Sequence, residues 1–285
     1  MLSYFEAILF GLLQGITELF PISSLGHSVV LPKLLGWQVN QSDPFFLTFL
    51  VATHTATALV LFLFFLKDWQ RIITAFFRSI ALREIRQSDP DAKLAWLLIV
   101  GTVPAGLLGV LFEEPLKALF ASPRLVAGVL ILNGVMLWLA DLLHRNKQAQ
   151  TAAGSDERVA RLTWFQSIRV GLFQAIALVP GFSRTGATIT GGLLAGLSNE
   201  DAARFSFLLA TPIIAAASLL KLPELALQSN RTMLGPILVG TVCAGAAAFV
   251  SLRFLTRYFE TRALRPFAIY CVVVGVALSL IFTLR

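Results

Sequence analysis

The chain has 285 residues, is 56% hydrophobic and 14% charged, and carries a net charge of +7. Its mean hydropathy of +0.77 excludes an ordinary water-soluble domain. Six apolar runs, about 45–66, 94–112, 124–143, 204–222, 233–252 and 266–284, have the length needed to cross a bilayer as helices, since a ~30 Å hydrocarbon core takes roughly 20 residues.

The first segment, about 2–31, is apolar but broken. No Lys or Arg precedes Lys33, and Gln14 and Glu18 interrupt the apolar run, so it does not read as a cleaved signal peptide. Gln14 and Glu18 are four residues apart and share one helix face. A carboxylate at membrane depth is a functional candidate by default. The turn that follows, Phe20-Pro21-Ile22-Ser23-Ser24-Leu25-Gly26-His27, is broken by proline and rich in hydroxyls. His27 has the chemistry of a general acid or base near neutral pH.

In the next run His54 lies among Thr53, Thr55 and Thr57 and is assigned to helix packing, with a site-lining role as the lesser alternative. Residues 67–93 mix Trp69, Ile72, Ile73, Phe76 and Phe77 with Arg71 and Arg78, the pattern of an amphipathic surface helix. Glu113-Glu114 before Pro115 reads as a solvated turn, and His144 as an exposed helix end. The stretch 146–160 is polar and expected to be a mobile linker.

The basic residues gather between the apolar runs, in 67–93, 141–169 and 253–265. The positive-inside rule places those connections in the cytoplasm and accounts for the +7 charge without a nucleic-acid partner. Cys243 and Cys271 both sit inside apolar runs and read as buried small hydrophobes. Neither a metal-ligand cluster with His/Cys spacing nor a phosphate-binding glycine motif of a soluble nucleotide enzyme occurs.

The second broken segment, about 165–197, centres on Pro180-Gly181-Phe182-Ser183-Arg184-Thr185-Gly186-Ala187-Thr188. A helix N-terminus behind a Gly/Ser/Thr turn is an anion cradle, and Arg184 adds a planar fork suited to phosphate. The two broken segments resemble each other: Gly11-Leu12-Leu13-Gln14 matches Gly171-Leu172-Phe173-Gln174, and Ser23 and Gly26 match Ser183 and Gly186 at the same offset of 160. Phe49-Leu50-Val51-Ala52-Thr53 likewise matches Phe207-Leu208-Leu209-Ala210-Thr211.

The expected fold is therefore an all-α polytopic membrane protein, with six transmembrane helices plus two re-entrant helical hairpins arranged as an inverted-topology repeat. It forms one integral membrane domain over residues 1–285, repeated at about 1–143 and 161–285. Such folds hold their site near the midplane, where the broken helices meet. One carboxylate, one histidine, several hydroxyls and an arginine around an anion cradle suit phosphoryl transfer or hydrolysis. A phosphate group at membrane depth points to a lipid-linked substrate. Inverted repeats also serve alternating access, so the alternative is a transporter or flippase of a phosphate-headed polyprenyl lipid.

The run Gln14-Gly15-Ile16-Thr17-Glu18 into Pro21-Ile22-Ser23-Ser24-Leu25-Gly26-His27, followed by Pro180 to Thr188, resembles the bacitracin-resistance family of undecaprenyl-diphosphate phosphatases. The likeness continues through Phe205–Ala210 and Pro266–Tyr270 and covers nearly the whole chain. The resemblance implies hydrolysis of undecaprenyl diphosphate to the monophosphate and inorganic phosphate. That recycles the lipid carrier for peptidoglycan and other envelope polymers and confers bacitracin resistance. It implies a bacterial inner-membrane location, with the site open to the outer, periplasmic face, and leaves a homodimer open. Family positions carry over to Glu18, Ser24, His27, Ser183, Arg184 and Thr188. Arg184 is the expected phosphate clamp, Ser24 the first candidate nucleophile and His27 its proton carrier. Gln14, Ser23, Ser183, Thr185 and Thr188 are expected to support the substrate. A divalent cation, magnesium or calcium, is implied as cofactor, with Glu18 as its contact. This chain departs from the family pattern in having Gln14 where many members have Glu, which removes one carboxylate, and Ala56 where members often have Gly.

Overall fold

In hydrocarbon every backbone N–H and C=O must be satisfied within the chain, so long apolar runs fold as helices. The computed structural model describes residues 2–37, 39, 43–86, 88–112, 115–116, 122–144, 155–228 and 234–284. Among them it has helices α1 (Tyr4–Leu19), α2 (Ser24–Leu35), α3 (Pro44–Phe64), α4 (Leu66–Leu82), α5 (Pro90–Leu111) and α6 (Pro123–His144). There follow α7 (Ser155–Ala160), α8 (Trp164–Ile176), α9 (Arg184–Leu194), α10 (Asn199–Gln228), α11 (Leu234–Thr261) and α12 (Arg265–Leu284). Six are long and apolar enough to span a membrane, namely α3, α5, α6, α10, α11 and α12. They coincide with the six expected runs.

The broken segments each become two short helices with matching local signals. Helix α1 starts at a capping box of Ser3 and Glu6, and α8 at one of Thr163 and Gln166. At 16 and 13 residues, these helices rise only about 24 and 20 Å at 1.5 Å per residue, too little to cross alone. Pro21 follows the end of α1 and Pro180 follows that of α8. Ser23 then caps α2 and Ser183 caps α9, each side chain accepting the N–H three residues on.

Small residues let these helices lie deep among the spans. Helix α1 packs along α11, and α8 along α5. A Cβ built on Gly11 would lie 2.2 Å from the Gly240 carbonyl oxygen, and one on Gly171 would lie 2.4 Å from that of Gly101. Gly11 and Gly171 are equivalent in the match between the halves, and Gly101-Thr102-Val103-Pro104-Ala105-Gly106 resembles Gly240-Thr241-Val242-Cys243-Ala244-Gly245, so the two contacts correspond. Backbones at this distance gain dispersion contacts that no larger residue permits.

Two expectations outside the spans are corrected. Residues 155–160 of the expected mobile linker form α7, which is held by ion pairs. Asp156 bonds Arg204 of α10 at 2.9 Å and Arg71 of α4 at 2.7 Å, and Arg158 bonds the buried Asp201 at 2.6 Å. Burial raises the Asp156 pKa, but the Arg204 and Arg71 guanidinium groups outweigh it and hold the carboxyl below its ordinary value. His144 is buried rather than exposed, because it continues the inward face of α6 set by Leu137, Ala140 and Asp141. The amphipathic helix appears as α4, with Trp69, Ile72 and Ala75 buried and Phe77 exposed. Residues 146–154 and Glu113-Glu114 lie outside the described residues.

Gly11→Ala and Gly171→Ala should each destabilise the detergent-purified protein by about 1–3 kcal/mol through overpacking. Gly128→Ala, which meets nothing within 4 Å, should leave the thermal midpoint unchanged or raise it. Equal midpoints for all three would refute the close-packing account. Asp156→Asn should lower the midpoint at neutral pH. A depressed folded pKa gives stability that is present above the unfolded value, about 4, and is lost as pH falls through the folded value. The gap from wild type should therefore close on acidification.

Candidate active site

The two hairpin turns meet because one side chain bolts them together. Asn133, fully buried on α6, donates from Nδ2 to the Pro21 carbonyl at 3.0 Å and accepts the Ser183 N–H at Oδ1, also 3.0 Å. The Thr185 hydroxyl donates to the Glu18 carbonyl at 2.9 Å, and Ser183 Oγ to the Phe20 carbonyl at 3.3 Å. The carbonyls around the first turn are thus served both by α6, at Pro21, and by the other hairpin, at Glu18 and Phe20. Ser23 holds φ at +71°, a conformation unusual outside glycine. Such residues cost of order 1–3 kcal/mol and persist where surrounding structure imposes them.

This juxtaposition puts Arg184, the first residue of α9, against Glu18 near the end of α1. Glu18 is 6% exposed, and both of its oxygens are engaged. Oε1 accepts from Arg184 Nη2 at 2.9 Å and Nε at 3.3 Å. Oε2 accepts from Ser24 Oγ at 2.5 Å and Gln14 Nε2 at 3.1 Å, and His54 Nε2 stands 3.3 Å away. Three helices thus converge on one carboxylate. A buried charge of this kind is tolerable only with such partners, and removing one typically costs about 3–5 kcal/mol.

Beside the carboxylate lies a cavity of about 400 Å³ lined by Glu18, Ser24, His54, Gln174, Ser183 and Arg184, with a largely apolar remainder that includes Leu50, Val51 and Ile213. Arg184 Nη1 and both amide atoms of Gln174 have no hydrogen-bond partner among the described residues. The unused donors among them, Arg184 Nη1 and Gln174 Nε2, are what an anionic ligand would engage. The apolar remainder suits a hydrocarbon chain attached to that anion.

Of the expected site residues, Glu18, Ser24, Ser183 and Arg184 line this cavity, and Gln14 supports Glu18 from the preceding turn. Four others lie outside its lining. Ser23 Oγ is spent on the Gly26 N–H, and Thr185 on the Glu18 carbonyl. Thr188 donates to the Arg184 carbonyl at 2.9 Å and pairs with Ser206. His27 turns the other way: Nδ1 donates to the Ser23 carbonyl at 2.6 Å, and Nε2 meets the Tyr270 hydroxyl at 2.8 Å. The place expected for His27 is taken by His54, which the sequence assigns to packing. Its signal was that of any ionisable group at membrane depth. Gln174 was also missed as a site residue, though its match to Gln14 pointed to it.

Glu18 fits poorly as the ligand of a divalent cation. A carboxylate offers about four lone-pair directions, and four hydrogen bonds already occupy this one, with His54 Nε2 at 3.3 Å beside them. One of the donors, Arg184, is itself cationic. Among the described residues no group of three or more His, Cys, Asp or Glu side chains could hold a metal ion.

Residues 7–277 match the family described as bacitracin resistance protein BacA. The chain belongs to this family. It is 45% identical to the undecaprenyl-diphosphatase of Mycolicibacterium paratuberculosis over 303 residues, covering 100% of this chain and 99% of the relative. It is 46% identical to undecaprenyl-diphosphatase 2 of Chromobacterium violaceum over 283 residues, covering 98% of each. Undecaprenyl-diphosphatase 2 of Frankia alni is 40% identical over 341 residues, covering 99% of each.

Asn133→Ala should loosen the site without touching the cavity. It frees one backbone N–H and one carbonyl, each worth about 1–3 kcal/mol when left unpaired in the interior. A matching fall in thermal midpoint, accompanied by lost activity, is expected. Unchanged activity would show that the hairpins keep their register without this bolt.

Proposed function

We propose that this chain hydrolyses undecaprenyl diphosphate to undecaprenyl phosphate and inorganic phosphate, and so recycles a lipid carrier of envelope synthesis. The observation that carries the reading is the Ser24–Glu18–Arg184 cluster at the wall of a mostly apolar cavity. Relatives named as undecaprenyl-diphosphatases along their full length support hydrolysis over carriage alone.

Arg184 has one guanidinium nitrogen free for a phosphate oxygen and sits on the N-terminal turn of α9, where backbone N–H groups favour an anion. Ser24 Oγ already donates its proton toward Glu18 Oε2, the arrangement of a nucleophile beside its base. In this reading Oγ attacks the terminal phosphorus and Glu18 takes the serine proton. The anhydride P–O bond breaks, and undecaprenyl phosphate leaves. Water then attacks the phosphoserine, releasing phosphate and restoring Ser24. Ser183 holds the start of α9, and Gln14 keeps Glu18 aimed. The roles expected of Ser23, Thr185 and Thr188 become indirect, since their hydroxyls fix the two turns. Magnesium or calcium enters only as a companion of the diphosphate itself, because Glu18 has no free lone pair to offer it.

The reading extends to topology. The two halves form an inverted repeat whose hairpins are re-entrant, supported by the paired Gly11–Gly240 and Gly171–Gly101 contacts. The protein lies in the bacterial inner membrane with its cavity open to the periplasmic face. Basic residues after α3 and before α5 support a cytoplasmic position for those ends. The cavity then draws on the opposite halves of both helices, through Leu47, Leu50 and Gly109. A homodimer is compatible with this reading.

Detergent-purified protein should release phosphate from a prenyl diphosphate. Arg184→Ala should lower kcat/KM by roughly 10²–10³, and Ser24→Ala at least as much, with both variants still folded. Binding of the lipid without any phosphate release by the wild type would replace hydrolysis with carriage.

A further inference from the structure

His54 stands at the reacting cluster without a part in the reaction so far. It is on α3, far in sequence from either hairpin, and its side chain is 19% exposed toward the cavity it lines. Its Nδ1 is 2.7 Å from the Leu50 carbonyl oxygen. A carbonyl can only accept, so Nδ1 carries a hydrogen. Its Nε2 faces Glu18 Oε2 at 3.3 Å. A bare Nε2 lone pair opposite a carboxylate would be repulsive, and Glu18 already accepts from Gln14, Ser24 and Arg184 at its two oxygens, so the proton between the pair belongs on Nε2. The ring is therefore fixed in orientation by Leu50 and loaded with a proton by Glu18, beside the serine that attacks.

The charged or titratable groups lining the cavity are Glu18 from α1, His54 from α3, Arg184 from α9 and Lys221 from α10. No such group comes from α4, α5 or α11, the other helices packed against α3 or around the cavity. Arg184 binds the other Glu18 oxygen and cannot give up a proton near neutrality. Among these groups, His54 is the one whose ordinary range fits proton donation at pH 7.

We infer that His54 is a further catalytic residue, the acid that protonates the leaving lipid phosphate, and that it fills at Glu18 the place a protein-held divalent cation would need. This rests on the diphosphatase reading. As Ser24 Oγ bonds to the terminal phosphorus, its proton goes to Glu18 Oε2. The electron pair of the breaking P–O bond goes to the bridging oxygen, which takes the His54 Nε2 proton. In the second half, water bonds to phosphorus and gives one proton back to His54. The Ser24 oxygen leaves with the proton held by Glu18. Both side chains end as they began, and one water has been consumed.

The test compares wild type, His54→Gln and Arg184→Ala on a prenyl diphosphate, from about pH 5 to about pH 9. His54→Gln keeps an N–H donor for Glu18 but has no proton to transfer. Its kcat should fall roughly 10²–10⁴-fold with KM little changed. The wild-type decline in kcat on the basic side, where the shared proton is lost, should be absent from the variant's profile. A second measurement does not depend on a variant's activity. The chain has three histidines, so nitrogen-15 spectra of the labelled protein can be assigned. They should show His54 protonated on both ring nitrogens at neutral pH, and on Nδ1 alone in Glu18→Gln. A His54→Gln enzyme with wild-type kcat and pH profile would overturn the inference, as would a ring singly protonated in both proteins. Absence of phosphate release by the wild type would instead overturn the diphosphatase reading.

Discussion

The structure depends on keeping one carboxylate ionised in a place where charge is expensive. Glu18 lies almost wholly out of solvent, and the isolated ion would cost several kcal/mol even after local relaxation. It is kept there by donors from α1 itself, from the first turn of α2, from α3 and from α9. These elements lie far apart along the chain, so satisfying this single side chain fixes how both hairpins and a spanning helix sit relative to one another. The converse also holds. Arg184 at membrane depth needs a counter-charge, and Glu18 supplies it through two N–H contacts. Neither broken segment is complete without the other.

Close helix contacts make that convergence possible. A helix of 16 residues with exposed backbone at its end cannot rest in lipid. It must be sheathed by protein, and the Gly11–Gly240 and Gly15–Ala244 contacts bring α1 against α11 at distances that exclude a side chain. Gly171 over Gly101 does the same for α8. The cost of a broken helix in the membrane is thus met by packing density along its length and by Asn133 at its tip. The tip can then hold unusual backbone, as Ser23 does, and point two N-terminal turns into one cavity.

Much of this was legible in the sequence, for identifiable reasons. Hydropathy and length located the six spans, because lipid leaves a long apolar run no other option. Proline, glycine and hydroxyls located both turns, and the spacing of Gln14 and Glu18 put them on one face. What sequence could not supply was direction in space. His27 sits three residues after Ser24 and looked like its partner, but its ring is held by the Ser23 carbonyl at Nδ1 and the Tyr270 hydroxyl of α12 at Nε2. His54 sits among threonines that bond their own helix, as Thr53 and Thr55 do, and so it read as one more packing residue. Only the approach of α1 to α3 shows that its Nε2 meets Glu18. Thr188 and Ser23 carried motif chemistry, yet their hydroxyls serve the backbone of the turns. The ionic seat of α7 was hidden because Asp156 pairs with arginines on α4 and α10 and Arg158 with an acid on α10, all distant in sequence.

The charge balance of the site follows from the same residues. With Gln14 in place of an acid, the centre holds one carboxylate against Arg184 and the proton shared with His54. A second carboxylate would compete with the substrate for Arg184 and would call for a cation to offset it. One carboxylate surrounded by donors leaves a surplus of positive field and unused N–H groups facing a cavity that is otherwise apolar. A diphosphate on a hydrocarbon tail matches both halves of that description, since its anionic end meets the donors while the tail stays in a medium like the one it left. Gln14 is therefore coherent with His54: an amide at one position and an imidazole at the other both add donors around a single carboxylate, which favours an anionic ligand.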